Sequence, residues 1–155
     1  MRTVYIGSDH GGFPGKEHLK LWLIARGESV IDLGPVVLDP DDDFPIFAGA
    51  VAHQVSCHPD ELGILLCRSG HGVAIVANKY PGVRAAVAWD VASVQAARAD
   101  DAVNVVCLPS DTLSLAEMEA IVAEFMATAP SADERFMRRL QEITRIEEQT
   151  MKRLV

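Results

Sequence analysis

Leu62-Gly63-Ile64-Leu65-Leu66-Cys67-Arg68-Ser69-Gly70-His71-Gly72 is the stretch that decides the fold. Leu62–Cys67 is almost wholly apolar and carries no charge, as in a central strand covered on both faces. Arg68–Gly72 reads as a glycine-containing turn, and Val73–Asn78 resumes a helical pattern. A buried strand therefore hands over to a helix within a few residues.

The same alternation extends in both directions. Upstream, Val4–Ser8 reads as a buried strand, Gly15–Ala25 as a helix ended by Gly27, and Ser29–Leu33 as a second strand closed by Gly34-Pro35. The acidic run Asp39–Asp43 leads to Pro45, a favourable first helical residue, and a helix continues to about Cys57. Downstream, Val83–Trp89 and Val103–Leu108 are strand-like, with the helix Val91–Arg98 between them. Ser114-Leu-Ala-Glu117 is a capping box opening a helix to about Ala127, and Ser131-Ala-Asp-Glu134 is a second, opening a charged C-terminal helix. Five strands separated by helices predict a Rossmann-like three-layer αβα fold with a parallel sheet in the order 2-1-3-4-5. Residues 1–155 are expected to form a single domain, with the helix in 131–155 available to pack on a partner subunit.

Composition limits the function. A net charge of −8 argues against a general nucleic-acid-binding role. No apolar run approaches the ~20 residues of a membrane span, and the N-terminal residues enter a strand without signal-peptide anatomy. Cys57, Cys67 and Cys107 make no Cys-x-x-Cys pair, which fits a reducing compartment, and a cytoplasmic location is expected. His53, Cys57 and His58 lack a fourth ligand, so no metal is assigned; the Asp39–Asp43 run reads as a solvated loop.

In sheets of this type, ligands sit at the carboxyl ends of the strands, near the reversal of strand order. That points to Asp9-His10 after the first strand and Cys67–Gly72 after the third. Amides and the helix dipole beyond Cys67 favour an anionic sulfur, a usable base or nucleophile; the alternative is a small apolar core residue, the reading given to Cys57 and Cys107. Ser69, Gly70, His71 and Gly72 could present successive N–H groups to a phosphate or enediolate oxygen, or simply connect strand to helix. A cysteine-phosphatase loop would need arginine where Val73 stands. Asp9-His10 could orient a hydroxyl or shuttle a proton, or could be a helix cap with an exposed imidazole. Arg135 and Arg139, one turn apart, could clamp a phosphate or pair with nearby glutamates.

Taken together, these segments resemble the type B ribose-5-phosphate isomerase family, which also contains the galactose-6-phosphate isomerase subunits. The resemblance rests on Gly7-Ser8-Asp9-His10-Gly11-Gly12-Phe13, Asp43-Phe44-Pro45, Gly63–Gly72, Ala77-Asn78-Lys79-Tyr80-Pro81-Gly82-Val83-Arg84, Asn104-Val105 and Glu134–Arg139, in order over essentially the whole chain. It implies a cofactor-free aldose–ketose isomerisation of a phosphorylated sugar through a cis-enediolate. Cys67 would be the base, Ser69 would handle hydroxyl protons, and Ser69–Gly72 would hold the enediolate oxygen. Asp9, His10, Arg135 and Arg139 would contact sugar and phosphate. It also implies a homodimer or homotetramer whose sites are shared between subunits.

Three features depart from the family pattern. Asp100-Asp101 stands where the family usually has His-Asn, placing Asp100 at the ring-opening position and Asp101 beside it among the substrate-binding residues. Phe44 replaces a usual tyrosine, and Arg68 a usual glycine. Three readings follow: isomerase of the ribose 5-phosphate type; isomerase or epimerase of another sugar phosphate needing no ring opening, such as a tetrulose 4-phosphate; or a non-catalytic sugar-phosphate-binding homologue.

Overall fold

The computed structural model describes residues 2–151. Its elements run β1 (Thr3–Ser8), α1 (Phe13–Ala25), β2 (Ser29–Asp32), α2 (Phe44–Cys57), β3 (Leu62–Cys67), α3 (His71–Ala77), β4 (Ala85–Val87), α4 (Val91–Asp101), β5 (Val105–Pro109), α5 (Leu115–Ala127) and α6 (Glu134–Met151). Residues 152–155 of the anticipated last helix lie outside the described residues. The five strands form one parallel sheet between two helical layers, as the Rossmann-like reading requires.

Alternating side chains of the central strands fill two separate cores. Val4, Ile6, Leu62, Ile64, Leu66, Val106 and Leu108 pack toward α1, α4 and α5, against Leu19, Leu23, Val94, Met118, Ile121 and Phe125. Tyr5, Leu65, Cys67, Val105 and Cys107 point the other way, onto Val51, Val55, Val73 and Ala77 of α2 and α3. The face that receives Cys67 is thereby set by strand parity.

The strand order is β2-β1-β3-β5-β4, not the predicted 2-1-3-4-5. Burial explains the exchange. All five residues of β5 are buried, whereas the three of β4 are only half-buried and suit an edge. The predicted Val83–Trp89 strand is also shortened at both ends. Gly82 turns the chain with φ +73°, and the amides of Trp89 and Asp90 donate to Ser93 Oγ in the capping box of α4.

The box predicted at Ser114 forms: Ser114 Oγ accepts from the Glu117 amide and Glu117 from the Ser114 amide. The one predicted at Ser131 does not. Ser131 Oγ accepts from the Asp133 amide instead, and Asp133 opens α6 by accepting from the Arg135 amide at 2.8 Å. Unlike α1 to α5, helix α6 buries none of its residues, and Met137, Ile143 and Ile146 remain exposed. One tie to the rest of the chain is the Glu147 carboxylate, which accepts from the Gly82 amide at 2.9 and 3.0 Å.

Candidate active site

β3 delivers Cys67 to the carboxyl edge of the sheet, where its side chain is only 6% exposed and forms part of the second core. The chain then turns through Gly70 at φ +76°, a left-handed conformation that an L side chain resists. The turn aims the Gly70 amide back at the sulfur, which accepts its N–H at 3.1 Å. The His71 amide is also engaged, donating to Ser69 Oγ at 3.4 Å, while the His71 residue is exposed. Cys107, on the neighbouring strand, is different: burial, and then the adjacent Cys67, push its thiol far up, so it stays protonated. Cys57 is exposed at the end of α2, against the expectation that it fills the core.

Asp9, His10, Phe44, Cys67, Arg68, Ser69 and Gly72 line a cleft of about 250 Å³. The predicted juxtaposition of the ends of β1 and β3 is therefore present. Asp9 is buried and one of its oxygens accepts from the Gly12 amide at 3.0 Å, bracing the turn that leads into α1. A Cβ on Gly12 would lie 2.6 Å from the Leu66 backbone, so glycine lets α1 press on β3 one residue before the sulfur. Across the cleft the Phe44 ring rests on Gly72, where a Cβ would come within 2.8 Å of it.

His10 is held by a residue that sequence reading missed. Asp42 Oδ1 accepts from the His10 amide at 2.8 Å and lies 2.7 Å from Nδ1. The Asp42 side chain is 6% exposed, so this member of the acidic run is not a solvated charge. Its other oxygen, Oδ2, is buried without a protein partner among the described residues. The hydrogen bond to Asp42, with the nearby negative charges of Asp9 and Asp42, raises the His10 pKa above its ordinary value. No sequence signal marks Asp42, because the contact joins residues 32 apart through a loop.

Four anticipated residues lie elsewhere in the chain. Arg135 and Arg139 are exposed on α6, flanking the Phe136 ring at 4.8 and 5.7 Å from its centroid, and do not line the cleft. Asp100 and Asp101 end α4, just before β5 begins at the opposite edge of the sheet. Asp101 lines a groove with Arg84, Ile143 and Glu147. Among the described residues no group of three or more His, Cys, Asp or Glu is arranged to hold a metal ion, and no helix is long and apolar enough to cross a membrane.

Fold and cleft together define a Rossmann-like α/β protein with a thiol-centred pocket at the switch point of its sheet. Within that class the chain belongs to the family described as ribose/galactose isomerase, which matches residues 4–143. It is 41% identical to ribose-5-phosphate isomerase B of Mycolicibacterium paratuberculosis over 137 residues, 88% of this chain and 86% of that protein. The crystal structure of ribose-5-phosphate isomerase B from Mycoplasma genitalium with bound ribulose 5-phosphate superposes with a TM-score of 0.90 at 38% identity, covering 94% of this chain and 96% of that one. The type B ribose 5-phosphate isomerase of Trypanosoma cruzi gives 0.91 at 35% identity, covering 97% and 99%.

Proposed function

We propose that the protein is a cofactor-free aldose–ketose isomerase of a phosphorylated sugar, of the ribose 5-phosphate/ribulose 5-phosphate type. The observation that carries this is the Cys67 sulfur, facing a substrate-sized cleft with an amide donor 3.1 Å away. The thiolate removes the proton from the carbon next to the carbonyl, leaving an enediolate. The resulting thiol returns that proton to the neighbouring carbon, and Ser69 carries the hydroxyl proton between the two oxygens. Amides of the Ser69–Gly72 turn, with those of Gly70 and His71 exchanging their present acceptors for the substrate, hold the enediolate charge as it develops. Asp9 and His10 position the sugar from the β1 side.

The phosphate clamp is incomplete within one protomer, because Arg135 and Arg139 ride on a helix that buries nothing. We infer a homodimer, alone or paired into a tetramer, in which α6 docks through its apolar positions and brings these arginines to the partner's cleft. Asp100 and Asp101 would reach the site by the same route. The free thiols fit a cytoplasmic setting.

The test is turnover of ribose 5-phosphate in heavy water. Wild type incorporates deuterium at the carbon beside the carbonyl; Cys67→Ala loses it by about 10²–10⁴-fold, the usual contribution of a positioned base. Deuterium uptake that survives in Cys67→Ala removes the thiol from the mechanism. Arg139→Ala should raise KM about tenfold with little change in kcat, as expected on removing a charge-assisted contact to phosphate. A second reading rests on Asp100, an acid at the position of the family's usual ring-opening histidine. It favours a substrate that cannot close a furanose ring, such as a tetrulose 4-phosphate, and faster turnover of that compound than of ribose 5-phosphate would select it.

A further inference from the structure

We propose that Arg68 is a substrate-phosphate ligand supplied by the protomer's own chain and positioned over its own cleft by Asp111, in addition to the arginines of α6. Three observations converge on it. Among the described residues, Arg68 and His10 are the basic ones that line the Cys67 cleft. Its stem is seated: a Cβ on Gly11 would lie only 2.3 Å from Arg68 Cγ, so the arm lies across a position that must stay bare. Its head is oriented from one side, since Nε donates to Asp111 Oδ2 at 3.1 Å.

The orientation is built into the sheet. The Ser110 amide donates to the Cys67 carbonyl at 2.9 Å and the Asp111 amide to the Arg68 carbonyl at 3.0 Å, so the ends of β3 and β5 are joined just where the two side chains leave them. Because β5 lies beside β3, a carboxylate 43 residues distant stands next to the arginine that follows the base. Asp111 occupies Nε alone, and no protein acceptor among the described residues takes the two terminal Nη groups of Arg68. A guanidinium bound at Nε still presents a paired N–H edge, the geometry that matches two oxygens of a phosphate. In a chain of net charge −8, an arginine that lines the cleft is where an anionic substrate would first gain by binding. As a mere surface ion pair, 70% and 52% exposed, the contact would contribute little to stability.

The isomerase reading supplies the identity of the anion; whether an anion binds Arg68 can be measured without it. Inorganic phosphate is titrated calorimetrically into wild type, Arg68→Ala, Asp111→Ala and Asp111→Glu, and the same proteins are assayed with ribose 5-phosphate and with a tetrulose 4-phosphate. Arg68 is exposed, so its truncation should leave the fold and far-ultraviolet dichroism intact. The expected result is a loss of phosphate affinity and a rise in KM of about tenfold or more in Arg68→Ala, with kcat within about threefold. Asp111→Ala should raise KM by a smaller factor at unchanged kcat, and Asp111→Glu should restore it. Equal phosphate affinity in wild type and Arg68→Ala, or no phosphate binding by wild type, overturns the assignment. An unchanged KM in Asp111→Ala removes the positioning role. If wild type turns over neither sugar phosphate yet Arg68→Ala loses phosphate, the isomerase reading fails and Arg68 keeps its ligand.

Discussion

Helices α5 and α6 follow one another in the chain yet are held in opposite ways. α5 buries Met118, Ile121, Val122 and Phe125 against the sheet and begins with a complete capping box. α6 is longer, buries nothing, and begins on a single aspartate. One helix belongs to the fold. The other extends from it, bearing apolar side chains at Met137, Ile143 and Ile146 and two arginines that the protomer itself does not use. A helix that stays formed without a core beneath it in its own chain leaves those side chains open to solvent.

The sharpest way to break this contrast is to damage each helix in turn. Phe125→Ala should cost about 3–5 kcal/mol of stability by urea unfolding, as for large aromatic truncations in well-packed cores. Ile143→Asp should instead leave helical dichroism unchanged and shift the sedimenting species toward the protomer. Equal losses of stability from both would erase the distinction. A finer test compares the helix starts. Ser114→Ala removes a working cap and should cost about 1 kcal/mol, whereas Ser131→Ala, outside the helix proper, should stay within about 0.5 kcal/mol.

The smallest effect lies at the strand ends, where Asp42 holds His10. His10 gains its partner on folding, so its folded pKa lies above the unfolded one. The stability this adds is fully present below the ordinary imidazole value and is lost as pH rises through the raised value. Asp42→Asn should lower the His10 titration midpoint followed by proton NMR and flatten that pH dependence. An unmoved midpoint would detach Asp42 from the site.

Much of this was legible in the residues. The uninterrupted apolar run of Leu62–Cys67 and the periodic segments around it gave the parallel α/β class, and the glycine turn after Cys67 located the cleft. Local patterns stopped short where partners are distant. Val83–Trp89 and Val103–Leu108 look alike as strings, and only packing on both faces of β5 put it beside β3. Asp42 sits in an acidic run that reads as solvent-facing, and only the loop's path brings it to His10. Cys57 shares its residue type with Cys107, but one ends a helix in solvent and the other faces a core. The box at Ser131 matched in spelling, but its serine bonds Asp133 and leaves that aspartate to start the helix.

The placement of β5 also carries a kinetic consequence. β1 and β2 can pair through a single intervening helix, but β5 must skip past β4 to dock on β3, closing a loop of long separation. Such non-local pairing is slow because chain entropy is lost before contacts compensate it. The central pairings of β3 with β1 and with β5 should therefore both form after β1 has paired with β2, and on refolding the recovery of activity should lag behind the recovery of helix.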